Sequence, residues 1–176
     1  MTAPLANIPA TSFEVPRLET ERMVLRAPTR ADFEDYAAFY LSPRSGASEP
    51  TRRKAWKAFA QEIVDWSLGG VGHWTAETKG GVAVGLIGFS QPDDYPEPEI
   101  GWALYDGYER QGYATEAARA ALVWARDRLV SAVSYIAPEN ARSIAVAERL
   151  GGSADASADR PAAAPDCLVY RYWSAP

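Results

Sequence analysis

The chain is short of cysteine, histidine, positive charge and long apolar runs, and each shortage removes a class of function. A single cysteine, Cys167, excludes an intrachain disulfide. A single histidine, His73, leaves no histidine-rich metal site. No apolar run approaches the roughly 20 residues of a membrane-spanning helix. Acidic residues outnumber basic ones 23 to 18, a net charge of −5, which argues against nucleic acid as the main partner. The N-terminal MTAPLANIPATSFEVP has neither the basic nor the continuous apolar segment of a secretion signal, so a cytoplasmic location is expected. Its prolines predict an extended, flexible arm over residues 1–17. The rest is ordinary: 47% hydrophobic and 23% charged residues, one domain over 18–176, no internal repeat and no second core.

Strands and helices are legible in order. Arg22–Arg26 reads as a strand stopped by Pro28. Thr29 and Asp32 make a capping-box-like start for a helix carrying Phe33, Tyr36, Ala37, Tyr40 and Leu41, ended by Pro43. Thr51 caps a second helix with the stripe Trp56, Phe59, Ala60, Ile63 and Val64, closed by Gly69, Gly70 and Gly72. His73–Thr78 and Val82–Phe89 are strands joined by a tight turn at Lys79-Gly80-Gly81. Gly85 and Gly88 in the second predict a bulge or a close backbone approach. An acidic link, QPDDYPEPE, leads to a strand in which Ile100, Trp102 and Leu104 alternate with Gly101, Ala103 and Tyr105. The loop DGYERQG follows, then a helix from about Ala114 with the stripe Ala114, Ala118, Ala121, Leu122, Ala125 and Leu129. Ser131–Ala137 is a further strand, and Asn140 caps a helix closed by Gly151 or Gly152. Residues 153–165 give no firm structure, and Cys167–Trp173 is a last strand.

The stretch from Glu99 to Ala125 is the most informative. Its loop aims the N–H groups of a helix start, backed by the positive end of the helix dipole, at one spot that suits a phosphate. Gly107 and Gly112 have P-loop spacing, but Tyr113 and Ala114 stand where that motif needs Lys and Ser or Thr, and no GxGxxG occurs. Glu109-Arg110-Gln111-Gly112-Tyr113-Ala114 resembles the acyl-CoA motif of the GNAT acetyltransferase superfamily, Gln/Arg-x-x-Gly-x-Gly/Ala. GYATEA, preceded by EIGWAL and followed by PENARSIAVAERLG, is similar to the RimJ/RimL branch, whose members acetylate protein N-termini and sometimes small amines. The resemblance runs from about Leu18 to Trp173. It implies the α+β (three-layer α/β) GNAT acyl-CoA N-acyltransferase fold, a mixed sheet of about six to seven strands flanked by about four helices. One departure is Glu109, acidic where the motif has Gln or Arg. A carboxylate there would repel a pyrophosphate, so Glu109 is expected to face solvent while Arg110 supplies the attraction.

The resemblance also implies an activity: transfer of an acetyl group from acetyl-CoA, without a metal, to a primary amine of a peptide N-terminus or a small molecule. The enzyme would be a monomer or a homodimer. The alternative is a domain that binds acyl-CoA without catalysis, as a sensor or partner module. Direct attack needs a neutral amine, a stabilised oxyanion and a proton for the departing thiolate. By the resemblance, Trp102, Leu104 and Tyr105 offer backbone groups to the pantetheine arm. Arg110, Gln111, Gly112, Tyr113, Ala114 and Thr115 hold the pyrophosphate, and Asn140 and Ser143 occupy the second motif. Glu99 is the candidate base, acting through a water. Many members place an acidic Tyr seven residues after the Asn, where this chain has Ala147, so the proton comes from Ser143, a water or another tyrosine. Asp93, Asp94, Glu97 and Glu99 are expected to line the acceptor side and draw in a cationic amine. Cys167 reads as a small strand residue, His73 as surface or core, and Trp56, Phe59 and Ile63 as core.

Overall fold

The computed structural model describes residues 13–174 and joins all their strands in one mixed sheet. The strands are β1 (Leu18–Glu19), β2 (Met23–Arg26), β3 (His73–Thr78), β4 (Ala83–Ser90), β5 (Glu99–Leu104), β6 (Ala132–Ile136), β7 (Ser153–Ala154) and β8 (Leu168–Trp173). Their spatial order is β1-β2-β3-β4-β5-β6-β8-β7, eight strands rather than six or seven. The additions are β1 and β7, edge strands of 2 residues each, too short for a sequence period to mark. Neighbours are antiparallel except β5 and β6, which run parallel.

Four α-helices cover the sheet: α1 (Phe33–Leu41), α2 (Arg52–Gly69), α3 (Tyr113–Ala125) and α4 (Ala141–Arg149). The capping residues read from the sequence are where they were expected. Asp32 accepts from the Thr29 N–H at 2.7 Å, Thr51 from the Lys54 N–H at 3.2 Å, and Asn140 from the Ser143 N–H at 3.1 Å. Helix α3 buries Ala114, and packs Ala117, Ala118, Ala121, Leu122 and Ala125 in one cluster with Met23, Trp74, Ile87 and Ile100. Alanine at so many of these positions lets the helix backbone lie close to the sheet.

The opposite face carries α1 and α2, whose Phe33, Tyr36, Ala55 and Phe59 pack with Leu86 and Tyr105. The buried stripe of α2 is Ala55, Phe59 and Trp66, rotated from the expected one. Trp56 is 40% exposed and Val64 39%, so neither belongs to the core; Trp56 instead meets the Phe33 ring edge-on at 4.9 Å. Tertiary packing chose the face, because both stripes satisfy a helical period. Trp66 wraps round the start of β3 and donates to the His73 carbonyl at 3.0 Å. A Cβ on Gly72 would stand 2.4 Å from the Trp66 ring, so only glycine fits beneath it.

Both readings of the β4 glycines hold. The β3–β4 register shifts between Ala76 and Glu77, opposite Gly85, and a Cβ on Gly85 would lie 2.2 Å from the Ala103 carbonyl oxygen. A Cβ on Gly88 would lie 2.2 Å from the Gly72 carbonyl oxygen. The expected arm over 1–17 lies mostly outside the described residues. Its last part is tied down, with Val15 against the core and the Pro16 carbonyl accepting from Trp74 Nε1 at 2.6 Å. No helix among the described residues is long and apolar enough to cross a membrane.

Candidate active site

Three features line up along β5. The first is the loop beyond its end. Gly107, Arg110 and Gly112 have φ of +87°, +60° and +83°, a succession of left-handed residues that turns the loop back on itself before α3. Gln111 Nε2 donates to the Gly107 carbonyl at 2.7 Å and closes the turn. Among the described residues, no protein group accepts from the N–H groups of Arg110 to Thr115, the set expected to face an anion. Arg22 braces the loop from behind, its guanidinium 4.5 Å from the Tyr113 ring centre and donating to the Gln111 carbonyl at 2.9 Å. Glu109 does not face solvent. Its carboxylate accepts from the Gly107 N–H at 2.9 Å and pairs with Arg44 at 2.7 Å, so its charge is neutralised inside the loop.

The second feature is a splay between β5 and β6. The two strands register at one pair only, Glu99 opposite Val133. Tyr105 N–H donates to the Val84 carbonyl at 2.9 Å, which fixes the antiparallel β4–β5 ladder. By the alternation of that ladder, Ile100, Trp102 and Leu104 turn their N–H and C=O groups away from β4, toward the splay. The Ile100 carbonyl accepts there from Ser134 Oγ at 2.7 Å, and the Tyr172 hydroxyl lies 3.1 Å from Ser134 Oγ. The Leu104 carbonyl accepts from Arg44 at 2.9 Å, and the Tyr105 N–H is spent on Val84. Of the three residues expected to offer backbone groups, Trp102 sits in the open part of the splay.

The third feature is Glu99 itself, at the start of β5. Its carboxylate points to the α1–α2 face and accepts from the Tyr135 N–H at 3.2 Å. Burial pushes its carboxyl up to about 7, against the Tyr135 N–H and His73, which both favour the ionised form. On the same face His73 Nδ1 lies 2.5 Å from Glu62 Oε2, a close ion pair set off the axis of a well-directed hydrogen bond. Burial disfavours the imidazolium, but Glu62, with Glu99 and Asp65 behind it, outweighs burial and holds His73 above its ordinary value.

The acetyltransferase (GNAT) domain profile matches residues 22–153, three-quarters of the chain. An acetyltransferase from Agrobacterium tumefaciens superposes with a TM-score of 0.84 at 39% identity, over 94% of this chain and 99% of that one. The chain belongs to the GNAT acetyltransferase family. A GnaT-family acetyltransferase from Bordetella pertussis shares 25% identity over 89% of this chain and 99% of its own, with a TM-score of 0.75. RimL, a ribosomal L7/L12 alpha-N-protein acetyltransferase solved with coenzyme A, has the same fold: TM-score 0.71, 15% identity, 90% of this chain and 98% of that one.

In this GNAT domain the second motif lies on α4. Asn140 is exposed and caps the helix, and Ser143 is half-buried one turn in. Ala147 is fully buried with Ile136 and Tyr170, so a core methyl fills the place where many family members carry tyrosine. Tyr172, which packs with Trp102 and Ile144 in that cluster, is the phenol that the sequence did not single out. A register shift on β8 between its partners Val133 and Ala132 makes Tyr172 the extra residue of a bulge, invisible to a strict alternation.

His73 and Glu62 were missed as well. A signal existed for Glu62: it falls three residues after Phe59 and four before Trp66, a charge on the buried stripe of α2. Glu97 is not a free charge. Both its oxygens are taken by Arg171, at 2.6 and 2.7 Å. Asp93 and Asp94 are exposed, and Cys167 is buried with Val133 and Val169.

Proposed function

We propose that the protein is an N-acetyltransferase that moves the acetyl group of acetyl-CoA to a primary amine, on a peptide N-terminus or a small molecule. The observation that carries this reading is the alignment along β5 of a run of unpartnered N–H groups, an open strand edge and a half-buried carboxylate. The residues fit the cosubstrate. The N–H groups of Arg110 to Thr115 suit a pyrophosphate, the edge at Trp102 suits the amides of a pantetheine arm, and the coenzyme A bound by RimL supports the assignment. We read Asn140 and Ser143, at the start of α4, as flanking the same path.

When bound, acetyl-CoA supplies a thioester carbonyl open to attack by an amine. Glu99 takes the proton of the incoming ammonium through a water, and a carboxyl near 7 suits a base at neutral pH. The Trp102 N–H is the backbone donor for the charge that develops on the carbonyl oxygen. Ser143 or Tyr172 returns a proton to the leaving sulfur. With Glu97 spent on Arg171 and Glu62 on His73, attraction for a cationic acceptor comes from Asp65 and Glu99. Negative neighbours also raise an amine's pKa, and an α-amine starts near 8 against about 10.4 for lysine, so the α-amine is favoured.

The test is release of free coenzyme A thiol from acetyl-CoA with N-terminal peptides, N-blocked lysine peptides and small amines. Turnover is expected with the first or third class. Faster turnover of the lysine peptides would reverse the preference, and tight coenzyme A binding without turnover on any amine would point to an acyl-CoA sensor.

A further inference from the structure

Four ionisable side chains converge on one side of the sheet from three elements: Glu62 and Asp65 from α2, His73 from β3 and Glu99 from β5. Cross-strand register explains how the imidazole reaches β5. His73 stands opposite Gly88, and Gly88 opposite Gly101, so the row that begins with His73 continues over two residues without side chains. His73 Nε2 lies 3.5 Å from the point a Cβ on Gly101 would occupy. Gly101 is two residues from Glu99 on the same face of β5, so the ring crosses toward the strand that carries the candidate base. The other ring nitrogen is set by Glu62, 2.5 Å from Nδ1. Trp66 pins the His73 backbone through its carbonyl. The side chain of His73 is 13% exposed and that of Glu62 20%, so this pair is largely withdrawn from solvent.

We propose that His73, oriented by Glu62, is a positioning residue for Glu99: as an imidazolium it helps hold the half-buried carboxylate ionised and ready to take the proton of the acceptor amine. The proposal rests on reading Glu99 as the base. The remaining groups facing the cluster are Tyr36 from α1, Tyr95 from the linker before β5, Tyr105 just after β5, Tyr135 from β6, Tyr172 from β8 and Cys167. Burial pushes all six up, so none carries charge at neutral pH. The balance around Glu99 is therefore set by burial and Glu62 on one side and by the Tyr135 N–H and the His73 imidazolium on the other. Without that cation the Tyr135 N–H alone would favour the ionised form, and the carboxylate would take up a proton at a higher pH and lose its function as a base there. Lone burial of Glu99 explains a carboxyl that is hard to ionise; His73 explains how it is ionised when needed.

Because the chain has one histidine, its imidazole gives a single set of resonances in an NMR titration of the whole protein. In the wild type it is expected to titrate above the ordinary value near 6.5. Glu99→Gln and Glu62→Gln should each move it down, since each removes a negative neighbour. In His73→Gln the acid limb of the kcat/KM profile for the amine should move up by about one pH unit, roughly a tenfold loss on that limb, with the KM for acetyl-CoA unchanged. Thermal melting checks that this variant is folded; if it is not, the titrations in Glu62→Gln and Glu99→Gln decide. A His73 titration indifferent to Glu99→Gln overturns the proposal, and so does an unmoved acid limb in folded His73→Gln. Failure of the wild type to acetylate any amine would defeat the acetyltransferase reading alone, because the NMR coupling is measured without turnover.

Discussion

Arg22 and Glu116 are joined twice. The Arg22 backbone N–H donates to Glu116 Oε1 at 2.9 Å, and its guanidinium Nε donates to Oε2 at 2.6 Å. Thr20 Oγ1 completes the clasp on Oε1 at 2.6 Å. Glu116 is the Glu of the GYATEA motif, in the first turn of α3, where its charge also complements the helix dipole. The clasp thus ties the loop that begins α3 to the residues just before β2, at the far side of the sheet order. Arg22→Ala should loosen the loop. Because the arginine is 42% exposed, the cost to stability is discounted to about 1 kcal/mol, while coenzyme A affinity should fall several-fold. Melting temperature and calorimetric titration measure the two effects separately. An unchanged affinity would show that the clasp serves the fold alone.

Gly112 tests the loop more directly. Its φ of +83° is strained for any other residue, and an added Cβ would come within 3.3 Å of Arg22. Acetyl-CoA at a hundred times its dissociation constant should stabilise the wild type by about 2.7 kcal/mol. Gly112→Val should remove most of that gain. A thermal shift with and without acetyl-CoA reads it, and equal shifts in both proteins would place the pyrophosphate elsewhere.

Glu99 should be a residue whose function works against stability. Its folded carboxyl, up to about 7, is above its unfolded value, so its contribution is full below the unfolded pKa and is lost as pH rises through about 7. His73, also raised, acts in the same direction. Glu99→Gln should therefore melt higher than the wild type at pH 8.5, by an amount on the order of 2 kcal/mol, yet turn over about a hundredfold more slowly with coenzyme A binding intact. Wild-type turnover in this variant would remove Glu99 as the base.

Acid should act through a different set. Burial raises Asp32, but the Arg26 fork and the Thr29 N–H more than offset it; Arg171 lowers Glu97, and holds Asp155 at about 2. Glu116 is lowered too, where burial is outweighed by Thr20 and Arg22. Each folded value lies below the unfolded one, so these contributions are present above the ordinary carboxylate range, about 4, and lost as pH falls toward 2. Circular dichroism across pH 5 to 2 should show the loss. Arg171→Met, which frees Glu97 and Asp155 together, should move the midpoint to higher pH.

The order of elements, the caps at Thr29, Thr51 and Asn140, and the loop before α3 were all legible in the sequence. These are local features, fixed by residues a few positions apart, and a period or a capping pattern reports them. The close approach at Gly85 and Gly88 was legible for the same reason, since a strand seldom carries glycine without a steric demand. What tertiary structure decided were relations between distant segments. It rotated the buried stripe of α2 from Trp56 to Ala55, brought Glu62 to the single histidine, and spent Glu97 on Arg171. It gave Glu109 an arginine partner 65 residues earlier in the chain, at Arg44, so a motif position that looked repulsive is neutral. Each of these depends on which face of one element meets which strand of another. Hydrophobic periodicity says that a face is buried; only the packing of the whole sheet says what it is buried against.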